Sequence, residues 1–165
     1  MGKRWRVKPN KSLRENARLA VPNMMDDFLG HTARVIGHPR LKNELHQMRL
    51  AGKKLRYAME VFVAAFGKDF ESYLEEIKHL LDVMGRIHDY DTNIPLMRSH
   101  LREVRLFNRT ATTPRDKVST GSLTILIREQ LAVRQSLFLE MTTILEQWGR
   151  EHFEQKVIRS MMVLS

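Results

Sequence analysis

Residues 46–66 read HQMRLAGKKLRYAMEVFVAAF, and the two faces of this stretch decide the fold. At about 100° per residue, Met48, Ala51, Leu55, Ala58, Met59, Phe62 and Phe66 fall on one side of a helix. His46, Arg49, Lys53, Arg56, Tyr57 and Glu60 fall on the other. The apolar side requires a protein partner. The polar side carries cationic groups at spacings of three and four, and a rise of 1.5 Å per residue sets His46 and Arg56 roughly 15 Å apart. Such a stripe suits a row of anionic groups better than one carboxylate.

On the N-terminal side, Leu13, Ala17, Leu19, Val21, Met24, Met25, Phe28, Leu29, Ala33 and Ile36 recur at helical spacing from Ser12 onward. They predict one helix, kinked or broken at Pro22. Gly37-His38-Pro39 predicts a turn, because a residue before proline is driven out of the helical region. On the C-terminal side, Gly67-Lys68-Asp69 predicts a second turn, with Gly67 left-handed at the helix end. From Phe70 a further helix carries Tyr73, Leu74, Ile77, Leu80, Leu81, Met84 and Ile87 as its apolar stripe. Pro95 is expected to kink or divide it before Ile94, Met97, Leu101 and Val104 resume the pattern to Leu106. Residues 108–122 are polar and read as one long loop. Residues 123–148 read as a fourth long helix bent by Gly149, and 151–163 as a short last one.

No segment alternates like a strand and no internal repeat appears. The fold class is therefore all-α: an antiparallel four-helix bundle with an extra short C-terminal helix. Residues 1–11, with Lys3, Arg4, Arg6, Lys8 and Lys11 around Trp5 and Pro9, read as an extended basic arm. Residues 12–164 read as a single helical domain.

A chain of 165 residues can bury a core without disulfides or metals. Its formal charge of +9 and pI near 10.2 attract polyanions, whether nucleic acid, polyphosphate or an anionic membrane surface. The lack of cysteine excludes disulfide frameworks, thiol nucleophiles and cysteine-ligated zinc. No stretch approaches the roughly 20 apolar residues of a membrane span, and the N-terminus lacks a secretory apolar run. A soluble, cytoplasmic protein is expected.

Two motifs carry the chemistry. The first is His46-x-x-Arg49-Leu50-x-x-Lys53-Lys54-Leu55-Arg56-Tyr57-x-x-Glu60-x-Phe62; the second is Met84-Gly85-x-x-His88-Asp89-x-Asp91. Together they resemble the CHAD domain, the conserved histidine α-helical domain. The first block follows the family's histidine helix closely. The second keeps Gly85, Asp89 and Asp91 but has Met84 for leucine, His88 for arginine and Thr92 for valine. The resemblance covers one repeat of a domain usually built from two, and it implies binding of inorganic polyphosphate in a basic channel. A single repeat would restore that channel as a homodimer supplying the same helix from each partner.

On this reading His46, Arg49, Lys53, Lys54 and Arg56 form the polyphosphate site. Arginine offers a planar fork to phosphate oxygens, whereas lysine acts as a point charge that follows a moving ligand. A polyanion beside His46 would favour its charged form, so its contribution should grow below neutral pH. Lys42, Tyr57, Arg86, His88, Arg128 and Arg134 extend the candidate set. Glu60, Asp89 and Asp91 are read as partners that orient the cations. Gly52 and Gly85 stand where helices approach closely.

Other readings compete with this one. Basic charge alone equally permits general polyanion or nucleic-acid binding, although no nucleic-acid motif accompanies it. His88-Asp89 spells the dipeptide of HD-type metal phosphohydrolases, with His46, His79 or His100 as further ligands. The remaining ligands have no defined spacing and the crowded cations would repel divalent metals. His31, His38 and His152 have no supporting spacing either. No nucleophile with a base and no phosphate-cradling glycine loop appears, so neither catalysis nor a cofactor or metal is expected. The expected setting is the cytoplasm, at polyphosphate granules.

Overall fold

The computed structural model of the chain describes residues 8–162, and among them every regular element is helical. The helices are α1 (Leu13–Leu29), α2 (Thr32–Val35), α3 (Lys42–Phe62), α4 (Lys68–Thr110), α5 (Gly121–Arg150) and α6 (Phe153–Ser160). Single 3-10 turns stand at Val63–Ala65 and Pro114–Asp116. Lys3, Arg4, Trp5 and Arg6 of the expected basic arm lie outside the described residues, as does Val163.

Each long helix packs antiparallel on the next. Between α1 and α3, Phe28 meets Gly52 and Arg14 reaches the Ala65 carbonyl. Between α3 and α4, His46 faces His88, Arg49 faces Gly85 and Glu60 faces Lys78. Between α4 and α5, Asp91 meets Arg134 and Glu76 meets Trp148. The short α6 lies against α1, α4 and α5. There the Phe153 ring stacks on Trp148 at 3.9 Å and meets the edge of Tyr73 at 5.5 Å.

One core runs from Ala17 of α1 to Met161 beyond α6, with Phe28, Met48, Leu55, Met59, Ile77 and Met141 wholly buried. Burial of each such side chain is worth about 1.5–3 kcal/mol, and this outweighs the weak local preferences of the chain. The outer halves of α4 and α5 form a smaller cluster around Ile94, Leu101 and Ile127.

Several local expectations are corrected. Pro22 neither breaks nor ends α1; Val21 and Met25 beside it are buried, and the Asn23 side chain donates to the Leu19 carbonyl at 2.6 Å. The break falls instead at Gly30, before α2. Ser12 and Glu15 form a reciprocal capping box, and these bonds from Ser12 hold the Glu15 carboxyl below its ordinary range. Lys8 and Lys11 are not part of a free arm. Their carbonyls accept from the buried Asn16 amide at 3.1 and 3.0 Å, which folds residues 8–12 onto the start of α1.

Gly67 is extended, with φ −84° and ψ −173°, and caps the start of α4; the left-handed glycine is Gly37, at φ 75°. Pro95 lies inside an unbroken α4 of 43 residues, roughly 64 Å long. Helix α4 runs to Thr110, so the loop shrinks to residues 111–120. Gly149 lies within α5, and the turn into α6 is made by left-handed His152, at φ 53°.

Gly52 is where three helices converge. A Cβ there would stand 2.7 Å from Leu81 Cδ2 and 2.8 Å from Phe28 Cε2, far inside contact distance. At Gly149 a Cβ would meet nothing within 4 Å. Gly52→Ala should therefore destabilise the protein by about 1–3 kcal/mol through overpacking. Gly149→Ala should gain up to about 1 kcal/mol of helix propensity. Urea midpoints of the two variants check this, and equal shifts would contradict it.

Candidate functional site

The amphipathic partition of α3 places its polar stripe along the groove between α3 and α4. At one end the His46 and His88 rings face each other, with centroids 5.3 Å apart and planes tilted by 34°. One turn further, the Arg49 guanidinium lies across Gly85, where a Cβ would come to 3.7 Å from its terminal nitrogen. Gly85 thus leaves the guanidinium resting on bare backbone of α4. Lys53 follows, half-buried, and then Arg56 and Glu60.

Charges along this groove divide into two kinds. At its ends the cations are paired. Lys42 Nζ lies 3.0 Å from Asp91 Oδ1, and the buried Arg134 grips the same carboxylate through two bonds of 3.2 and 3.1 Å. Arg134 also donates to the Pro39 carbonyl at 2.8 Å, fixing the turn before α3. At the opposite end Glu60 stands 3.5 Å from Arg56 Nε and 3.9 Å from Lys78 Nζ. Lys78 bonds Glu75 at 2.7 Å, and that bond holds its ammonium above the ordinary lysine range.

Between these ends the cations stand open. Among the described residues, neither Arg49 nor Lys53 has a carboxylate within 4.0 Å. Arg56 is held without being saturated: its guanidinium lies 4.8 Å from the Tyr57 ring centroid, and its buried Nε has no hydrogen-bond acceptor. The recess between the two histidines, bordered by Lys42, Arg49 and Asp91, encloses only about 30 Å³. That is room for a water-sized group, so an anion would lie along the rim and not inside.

The groove gathers His46, Arg49, Lys53, Arg56 and His88 into one row. It does not gather Lys54, which is exposed and turned about 100° from Lys53 on the wheel. Arg86 is likewise exposed, about 100° from Gly85, and Tyr57 is exposed beneath Arg56. Arg128 lies on α5, away from α3. Arg134 is buried and engaged, so it holds helices together instead of presenting charge. Asp89 is exposed, with no ion pair among the described residues.

Lys78 also belongs to the groove, although the candidate set read from the sequence does not include it. Its signal was the wheel position it shares with Gly85, seven residues on. His31 bonds Glu44 at 3.2 Å, and His79 and His100 lie 3.7 and 3.4 Å from exposed glutamates. Among the described residues no three histidine, aspartate or glutamate side chains are grouped to hold a metal ion. No helix among them is long and apolar enough to cross a membrane.

A family model, described as CHAD domain, matches residues 3–113, which takes in α1 to α4 and stops short of α5. No curated protein and no solved structure matches the chain.

Asp91→Ala would strand Arg134 as an unpaired buried cation, a change that typically costs about 3 kcal/mol or more. Lys42→Met, at a side chain 51% exposed, should cost well under half of that. Denaturant titration of both variants tests the ordering; a Lys42 effect equal to the Asp91 effect would refute it.

Proposed function

The chain belongs to the CHAD domain family, and from that premise we propose that it binds inorganic polyphosphate along the α3–α4 groove without catalysing its turnover. One observation carries the reading: among the described residues Arg49 and Lys53 have no carboxylate within 4.0 Å, whereas Lys42, Arg56 and Lys78 at the ends of the groove each have one. Side chains left charged and uncompensated beside a helix interface raise the local potential, which a polyanion relieves. Arg49 supplies a planar fork on the bare backbone of Gly85, and Lys53 a mobile point charge one turn on. His46 and His88, face to face, can each donate to the same phosphate.

Polyphosphate has repeating charge and no bases to read. The groove fits that: a line of cations with no stacking platform of exposed aromatic rings, Tyr57 apart. Binding without turnover fits the commitment of Asp91 and Glu60 to cations. A homodimer would set two such grooves against each other and wall the ligand on both sides, as expected of a single repeat. We place the protein in the cytoplasm, at polyphosphate granules. General polyanion or nucleic-acid binding is the competing reading. HD-type metal hydrolysis has less support: among the described residues no three histidine, aspartate or glutamate side chains come together around His88-Asp89.

Long-chain polyphosphate should bind tightly and outcompete duplex DNA at equal charge. Arg49→Gln and Lys53→Gln should each weaken binding about tenfold, or about 1.4 kcal/mol. Each should also reduce the salt slope by slightly under one. The His46→Gln, His88→Gln double variant should likewise weaken binding, because it alters two facing donors at the end of the groove. Light scattering should report a dimer. Equal affinity for DNA, undiminished in both cation variants, would assign the binding to diffuse charge.

A further inference from the structure

Beyond Asp91, α4 continues for five more turns and carries Arg98, Arg102, Arg105 and Arg109. Spacings of four, three and four place all four within about 60° of one another on the helix. Among the described residues none of them has a carboxylate within 4.0 Å; Arg102 donates to the Ser99 hydroxyl at 3.4 Å. Like charges at these spacings destabilise a helix by a few tenths of a kcal/mol per pair. Arg109, in the last turn, gains from the helix dipole, but no ion pair among the described residues offsets that cost, in contrast to those made by Lys42, Lys78 and Arg134.

The face these arginines share is not flat. Between α4 and α5 a hollow of about 260 Å³ is lined by Arg98, Arg102, Arg105, Thr124 and Ile127. A second hollow, of about 560 Å³, adjoins it through Arg98 and is walled by Arg40, Lys42, Asp91 and Arg134. Lys42 and Asp91 in turn border the recess between His46 and His88. Shared walls thus join three hollows edge to edge. The one carboxylate on the way, Asp91, is already neutralised by two cations. From Gly85, beneath Arg49, to Arg105 is twenty residues of α4, roughly 30 Å.

We propose that this arginine face is a second polyphosphate-binding segment, continuous with the α3–α4 groove, and that the two together select long chains over short ones. The inference rests on the polyphosphate reading of the groove. A long chain crosses from Arg49 past Lys42 to Arg98 and Arg105 and gains from both segments, which act as linked sites on one ligand. A short oligomer fills one segment only.

The test uses the full chain with tripolyphosphate and long-chain polyphosphate across a salt series. Variants are Arg98→Gln/Arg102→Gln/Arg105→Gln and Arg49→Gln/Lys53→Gln, with circular dichroism confirming helicity. The arginine variant should lose tenfold or more in affinity for long chains, with the salt slope lowered by about two units. Its affinity for tripolyphosphate should be unchanged. Long-chain binding untouched by the arginine variant but lost with Arg49 and Lys53 would overturn the second segment and leave the groove standing. Loss with the arginine variant and none with the other would overturn the groove reading instead. Equal losses at both ligand lengths would overturn length selection. Single-stranded DNA matching long-chain polyphosphate in every variant would overturn polyphosphate as the ligand.

Discussion

The carboxylate of Asp91 is the constraint on which the arrangement of α3, α4 and α5 depends. It takes a forked pair of bonds from Arg134 of α5 and an ammonium from Lys42 at the start of α3. Arg134 passes the connection on to the Pro39 carbonyl, so one anion fixes three helices and a turn. The same residue resolves a backbone problem. Pro95 has no N–H to give the carbonyl four residues earlier, which is that of Asp91, and Lys42 Nζ approaches that carbonyl at 3.3 Å. An ion pair this sheltered is weak evidence for net stability, because desolvation offsets much of the attraction. Its value lies in register: the two bonds from Arg134 to Asp91 fix where α5 crosses α4.

Once that register is set, the charges sort themselves. The carboxylates that take cations, Asp91 and Glu60, stand at the two ends of the α3–α4 groove, and Arg49 and Lys53 between them have none within 4.0 Å among the described residues. Two glycines make the geometry possible by opposite means. Gly52 removes bulk so that Phe28 and Leu81 can close on α3 from either side. Gly85 leaves the space under the Arg49 guanidinium open, although a Cβ there would stand 3.7 Å away, an ordinary contact. One glycine serves packing and the other serves the site. Both sit in helix interiors, where glycine ordinarily costs about 1 kcal/mol relative to alanine.

Much of this was legible in the sequence, for physical reasons that can be named. The α3 faces separate because 21 helical residues in a row obey one period, and the motif of His46 to Glu60 inherits that regularity. The all-α class follows from the same periodicity elsewhere. Neither proline divides its helix, because their local penalty competes with tertiary terms that no window of sequence contains. Pro22 is carried by buried neighbours on α1, and Pro95 by an ammonium from a different helix. Gly67 was misassigned because glycine serves either end of a helix, and only the backbone angles decide. Arg134 and Lys54 look equally cationic in the sequence. Burial separates them, and burial depends on which helix passes overhead. The arginines of outer α4 were passed over because their apolar neighbours, Ile94 and Leu101, drew the reading of that segment to its packed side.

The contact between α1 and α6 has a kinetic meaning. Almost every other helix pair joins neighbours in the chain, and such local hairpins form early at little cost in loop closure. Helix α6 instead returns to the beginning: Arg18 Nε donates to the Met161 carbonyl at 2.9 Å across 143 positions of sequence. A clasp of eight residues closed over so long a loop is expected to be the last piece to dock and the first to open. Amide protection should then fall off from α3 and α4 toward α6. The helices that bear the groove would stay folded through excursions in which the two ends of the chain part company.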